Sequence, residues 1–141
     1  MTDLVWLTGD DKTAPDAAVI DAGLDAFNRD LPALAQVRPL CCSVRLGSGH
    51  CIGGALARSW GGASELQQLW VDAAWRGKGL GSRLVGLVEA EARARGCGLV
   101  YLDTFTFQAP EFYRRLGYGT LCTIEGFPDR MAKFIMSKRL A

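Results

Sequence analysis

The apolar positions along this 141-residue chain change their spacing several times, and each spacing predicts an element. Residues 3–7 are a short apolar run that predicts a first strand. In 14–31, Val19, Ile20, Leu24, Phe27 and Leu31 recur at steps of one, three and four, the mark of one helix face. Pro15 suits the first turn of that helix and Pro32 follows its end. Residues 40–46 and 51–60 read as strands on either side of Gly47-Ser48-Gly49, a hairpin turn. After Gly61-Gly62, residues 65–71 read as a third hairpin strand, in which Gln67 and Gln68 stand side by side between Leu66 and Leu69.

The clearest helix is 80–95. Leu80, Leu84, Leu87 and Val88 fall on one stripe, and Glu89–Arg93 and Glu91–Arg95 are four-residue pairs in the favourable order. Gly96 stands where a helix ends. Residues 99–105 predict a strand, 110–116 a short helix opened by Pro110, and 118–124 and 131–137 two closing strands joined at Gly126-Phe127-Pro128-Asp129. The order β-α-β-β-β-α-β-α-β-β places the chain in the α/β (α+β, mixed-sheet) class and excludes a doubly wound sheet.

Composition narrows the function classes. The length suits a single domain over residues 1–141. Hydrophobic residues at 49% and charged residues at 22% exclude disorder or a fibrous repeat as a description of the whole. A net charge of +1 is not that of a dedicated nucleic-acid binder. Residues 1–30 carry seven aspartates and two basic residues, a balance of −5, while residues 31–141 carry fourteen basic and eight acidic residues, +6. No stretch approaches the roughly 20 apolar residues of a membrane span. The start lacks a basic and apolar leader, so a soluble cytoplasmic protein with no membrane partner is expected. The five cysteines form no C-x-x-C pair and read as small core residues, and the lone His50 reads as a turn residue. No metal site is expected.

The main chemical signal is Arg76-Gly77-Lys78-Gly79-Leu80-Gly81-Ser82-Arg83 between a strand and the long helix. Glycine lets backbone approach a ligand closely, and the N–H groups at a helix start suit an anion. Arg76, Lys78 and Arg83 add positive charge. The spacing matches neither the dinucleotide fingerprint nor the nucleotide P-loop.

Arg76-Gly77-Lys78-Gly79-Leu80-Gly81 resembles the R/Q-x-x-G-x-G/A motif of the GNAT family of N-acetyltransferases. Ala109-Pro110-Glu111-Phe112-Tyr113-Arg114-Arg115-Leu116-Gly117-Tyr118, about thirty residues on, is similar to that family's second motif. The resemblance implies the GNAT fold and transfer of an acetyl group from acetyl-CoA to a primary amine of a small molecule or peptide. It implies that backbone at Leu69 and Val71 pairs with the pantetheine and that Arg76, Gly77, Lys78, Gly79, Leu80, Gly81 and Ser82 hold the pyrophosphate. Tyr113 takes the place of the general acid, and Phe112 that of a wall against the pantetheine. Glu65 is the first candidate base and Asp103 the second. Where many family members have an asparagine contacting the cofactor this chain has Thr106, with Gln108 as a substitute nearby. Acidic Asp16, Asp21 and Asp25 are expected to attract a cationic amine. The resemblance also allows a homodimer. The rival function is an acyl-CoA-binding protein of the same fold that transfers nothing.

Overall fold

The computed structural model describes residues 2–11, 14–32 and 36–141. The chain divides into two compact units, Met1–Ala35 and Gln36–Ala141. The first contains helix α1 (Pro15–Asn28), entered through Pro15 and burying none of its residues. Val19, Ile20, Leu24, Phe27 and Leu31 are all exposed, as are Asp16, Asp21 and Asp25. Residues 3–7 form no strand, contrary to expectation, and Leu4, Val5, Trp6 and Leu7 are exposed. An apolar run supplies only the side chains of a strand; the ladder also needs a neighbour's backbone, which sequence does not place.

The second unit is a six-stranded sheet with two helices. In chain order it runs β1 (Arg38–Arg45), β2 (Cys51–Trp60), β3 (Ala63–Val71), α2 (Leu80–Ala94), β4 (Leu99–Phe105), α3 (Pro110–Arg115), β5 (Gly119–Ile124) and β6 (Lys133–Arg139). The spatial order is β1-β2-β3-β4-β6-β5, and every pair is antiparallel except β3–β4. Seven elements of the sequence reading thus recur with ends shifted by a few residues at most, and 51–60 and 99–105 recur without a shift.

Two irregularities in β3 shape the site. Its parallel pairing with β4 stops after Ala63–Leu99, Ser64–Val100 and Glu65–Tyr101, although both strands run on. Its pairing with β2 slips at the same level: Ala57 faces Leu66 and Leu56 faces Gln68, so Gln67 is the extra residue of a bulge. A bulge bends its strand, and beyond it β3 leaves β4 and a wedge opens in the sheet.

The core lies under α2. Leu84, Val85, Val88 and Ala92 pack on Ala55, Ala57, Leu66, Val100, Leu102 and Met136. The small alanines of β2 leave room for the helix's branched side chains. Arg95 fastens the helix end by donating to the Arg38 and Pro39 carbonyls, to Ser59 Oγ and to Glu91. The buried stripe is rotated from the expected one: Leu87 is 46% exposed, whereas Glu89 is buried. Val88→Ala therefore costs about 2 kcal/mol by lost burial, while Leu87→Ala changes stability by less than about 0.5 kcal/mol. Chemical denaturation of the two variants measures the difference.

The cysteines also depart from expectation. Cys97 is buried, but Cys41 and Cys122 are exposed. They lie on β1 and β5, the two outer strands, which are covered least. Among the described residues no helix is long and apolar enough to cross a membrane.

Candidate active site

Two clefts meet in the wedge. The first, about 480 Å³, is lined by Leu69, Val71, Trp75, Arg76, Gly77, Gly79, Leu80, Gly81, Ser82, Ala109 and Phe112. The second, about 320 Å³, is lined by Leu66, Gln67, Gln68, Leu69, Trp70, Asp103, Thr104, Gln108, Ala109 and Tyr113. Leu69 and Ala109 line both, so the clefts adjoin.

The first cleft is built on the glycine-rich turn and the start of α2. Asp72 starts the turn by accepting from the Ala74 N–H. Gly79 is the N-cap of α2 with φ 80°, a conformation that side chains disfavour, and no side chain caps the helix. The first N–H groups of α2 have no carbonyl one turn back to bond, so they face the cleft with the positive end of the helix dipole. Gly81 lets α3 close in: a Cβ there would lie 3.3 Å from the Phe112 ring. Arg76 Nε donates to the Val71 carbonyl at 2.9 Å, which folds the guanidinium over the end of β3. Lys78 is exposed in the same turn and is not part of the lining.

The second cleft holds the titratable groups. Tyr113 is 8% exposed and reaches the cleft from α3. Burial pushes its pKa up to about 12, because the ionised phenolate would lose its hydration. Asp103 lines the same cleft from β4, with Lys133 Nζ 3.9 Å from its Oδ1. Lys133 also lies 4.9 Å from the Phe105 ring centroid, a cation–π contact. Gln108 is held by the Phe105 N–H, 2.7 Å from its Oε1.

Two expected site residues stand apart. Glu65 lies at the closed end of the wedge, outside both linings, where its Oε2 accepts from Tyr101 Oη at 3.1 Å and pairs with Arg58 at 3.3 Å. Thr106 spends its hydroxyl on Ala132, accepting from the N–H and donating to the carbonyl, and so braces β4 to the start of β6. Gln108, its substitute in the sequence, is the one in the cleft. Sequence reasoning missed the wall formed by Gln67, Gln68 and Trp70, although the doubled glutamine in an alternating strand was the sign of a bulge.

A sheet split beside a glycine-rich helix start, with a buried tyrosine at the split, is the arrangement of an acyl-CoA-dependent transferase fold. The profile of the Acetyltransferase (GNAT) family matches residues 6–118, and the chain belongs to that family. It is 45% identical over 73 residues to the blasticidin-S acetyltransferase of Streptomyces morookaense, covering 51% of this chain and 54% of that protein. The chain thus aligns with about half the length of that relative. Among solved structures, an acetyltransferase from Bacillus cereus superposes with a TM-score of 0.82 at 28% identity over 95% of this chain and 98% of the other. A candidate streptothricin acetyltransferase of Bacillus anthracis, solved in complex with acetyl coenzyme A, shares the fold at a TM-score of 0.65 and 16% identity, over 73% of this chain and 63% of that one.

Proposed function

We propose that this protein transfers an acetyl group from acetyl-CoA to a primary amine of a small molecule. The observation that carries this is the adjoining of the glycine cradle and the Tyr113 cleft through Leu69 and Ala109. The pyrophosphate lies against the N–H groups from Gly77 to Ser82, with Arg76 beside it. The pantetheine runs along the edge of β3 at Leu69 and Val71, past Phe112, in the gap left where β4 stops pairing. The thioester then reaches the second cleft.

There the neutral amine attacks the thioester carbonyl carbon. A backbone N–H of β3 holds the developing oxyanion. The C–N bond forms, the C–S bond breaks, the thiolate takes the proton of Tyr113 Oη, and the acetylated nitrogen, cationic after attack, gives up its own proton to restore the phenol. Asp103 attracts the ammonium form of the acceptor and accepts its proton, directly or through water. Its place in the cleft favours it over Glu65, which lies outside both linings. The wall of Gln67, Gln68, Trp70 and Gln108 presents amides and an indole face, suited to a polar, ring-bearing cationic amine. Blasticidin S, the substrate named for one relative, is the first acceptor to test.

Incubation with acetyl-CoA and blasticidin S, polyamines, amino acids and lysine peptides, with detection of free thiol, tests the activity. Thiol release with at least one small amine is expected. Tight acetyl-CoA binding without release by any amine overturns the transferase and leaves an acyl-CoA binder. Asp103→Asn is expected to lower kcat/KM for the amine by roughly a hundredfold, the low end for a lost base, with KM for acetyl-CoA retained. A larger loss in Glu65→Gln would move the base to β3.

A further inference from the structure

The carboxylate of Glu89 is the buried charge for which the transfer reaction has no use. It sits on the core side of α2 with the residue 6% exposed. Its Oε2 accepts from Tyr118 Oη at 2.9 Å and its Oε1 from Lys138 Nζ at 2.9 Å. Each member comes from a different part of the fold: Glu89 from α2, Tyr118 from the turn after α3, and Lys138 from β6. A buried ion pair is a weak source of stability, since desolvation offsets most of the attraction. Well-packed apolar residues of similar volume often replace such a pair without loss. The assembly is better explained by what it holds in place.

What it holds is Tyr113. The Tyr118 ring is 2% exposed and meets the Tyr113 ring edge-on, with centroids 5.8 Å apart at 72°. The Tyr118 N–H donates to the Tyr113 carbonyl at 3.0 Å. Helix α3 has six residues, too few to fix a side chain by helical stability alone. Lys138 also packs its stem against Gly117, where a Cβ would lie 3.4 Å from Cε. The turn linking Tyr113 to Tyr118 is therefore clamped from β6 and from α2 together.

We propose that Glu89, Lys138 and Tyr118 are positioning residues that fix the Tyr113 phenol in the cleft. This rests on the acid role of Tyr113 given above. The hydroxyl of Tyr118 is the link: it ties the ring that abuts Tyr113 to a carboxylate that cannot move, because Lys138 holds its other oxygen.

A double-mutant cycle tests it on the full chain, with acetyl-CoA and whichever amine gives the fastest thiol release. Tyr118→Phe keeps the ring and removes the tether. It is expected to lower kcat roughly tenfold, since small misplacement of a reacting group is costly, with KM for acetyl-CoA held. In a Tyr113→Phe background the same change is expected to do nothing further. A merely structural role would lower kcat by the same factor in both backgrounds, and that result overturns the proposal. If Tyr113→Phe alone retains the parent rate, the acid role falls, and the positioning role with it. A second measurement needs no acceptor. Protein labelled with ring-fluorinated tyrosine should give one sharp Tyr113 resonance in the parent and a broadened or divided one in Tyr118→Phe and Glu89→Gln. An unchanged resonance in both variants also overturns it.

Discussion

Replacing Tyr113 by phenylalanine lowers kcat by about a hundredfold or more and leaves KM for acetyl-CoA near its parent value. The ring stays, so the edge contacts with Phe112 and Tyr118 stay. Only the proton donor is lost. The thiolate must then take its proton from water, and the cost falls in the transition state, which places it in kcat. Burial raises the Tyr113 pKa to about 12, so the parent keeps its donor protonated across the working range. Its rate against pH should therefore show no alkaline loss from this tyrosine until well above pH 10, while the acid side falls as the acceptor amine becomes protonated. Steady-state kinetics with variable acetyl-CoA at several pH values reads both effects. A parent-like kcat in Tyr113→Phe would remove the acid role.

Gly81→Val raises KM for acetyl-CoA about ten- to hundredfold. A Cβ at this position already lies 3.3 Å from Phe112 Cζ and 3.5 Å from Cε1. The two further methyl groups of valine must push α3 away from the start of α2 or enter the cleft that both line. Overpacking of this kind costs about 1–3 kcal/mol, and each 1.4 kcal/mol is tenfold in affinity. The cost lands on donor binding because Gly81 lies on the helix start that faces the cleft. Calorimetric titration with CoA, compared with the melting temperature of the same variant, separates lost binding from lost folding. Unchanged CoA affinity in a folded Gly81→Val protein would place the pyrophosphate elsewhere.

Much of the site was legible because its parts are local. A strand end, alternating glycines and a helix start lie within one stretch, 71–84, and a helix start needs no distant partner to expose its N–H groups. Tyr113 and Phe112 were legible through the second motif. Glu65 and Asp103 show where local reading stops. Both are carboxylates on neighbouring strands, and only the end of β3–β4 pairing separates them: Glu65 falls where the strands still meet, Asp103 where they have parted. Thr106 is similar, since the Ala132 backbone that takes its hydroxyl is 26 residues away.

The sequence by itself determined the periods of the elements, the turn chemistry, the glycine cradle and hence the family, because these follow from backbone preferences within a few residues. Tertiary structure decided the rest. It turned Glu89 from an expected partner of Arg93 into a buried carboxylate held by Tyr118 and Lys138, since one residue's rotation of the α2 stripe changes which side chains meet water. It left residues 3–7 without a ladder and opened the wedge in which the two clefts meet. Those outcomes depend on which backbones come together across the chain, and side-chain order along a single strand or helix does not contain that information.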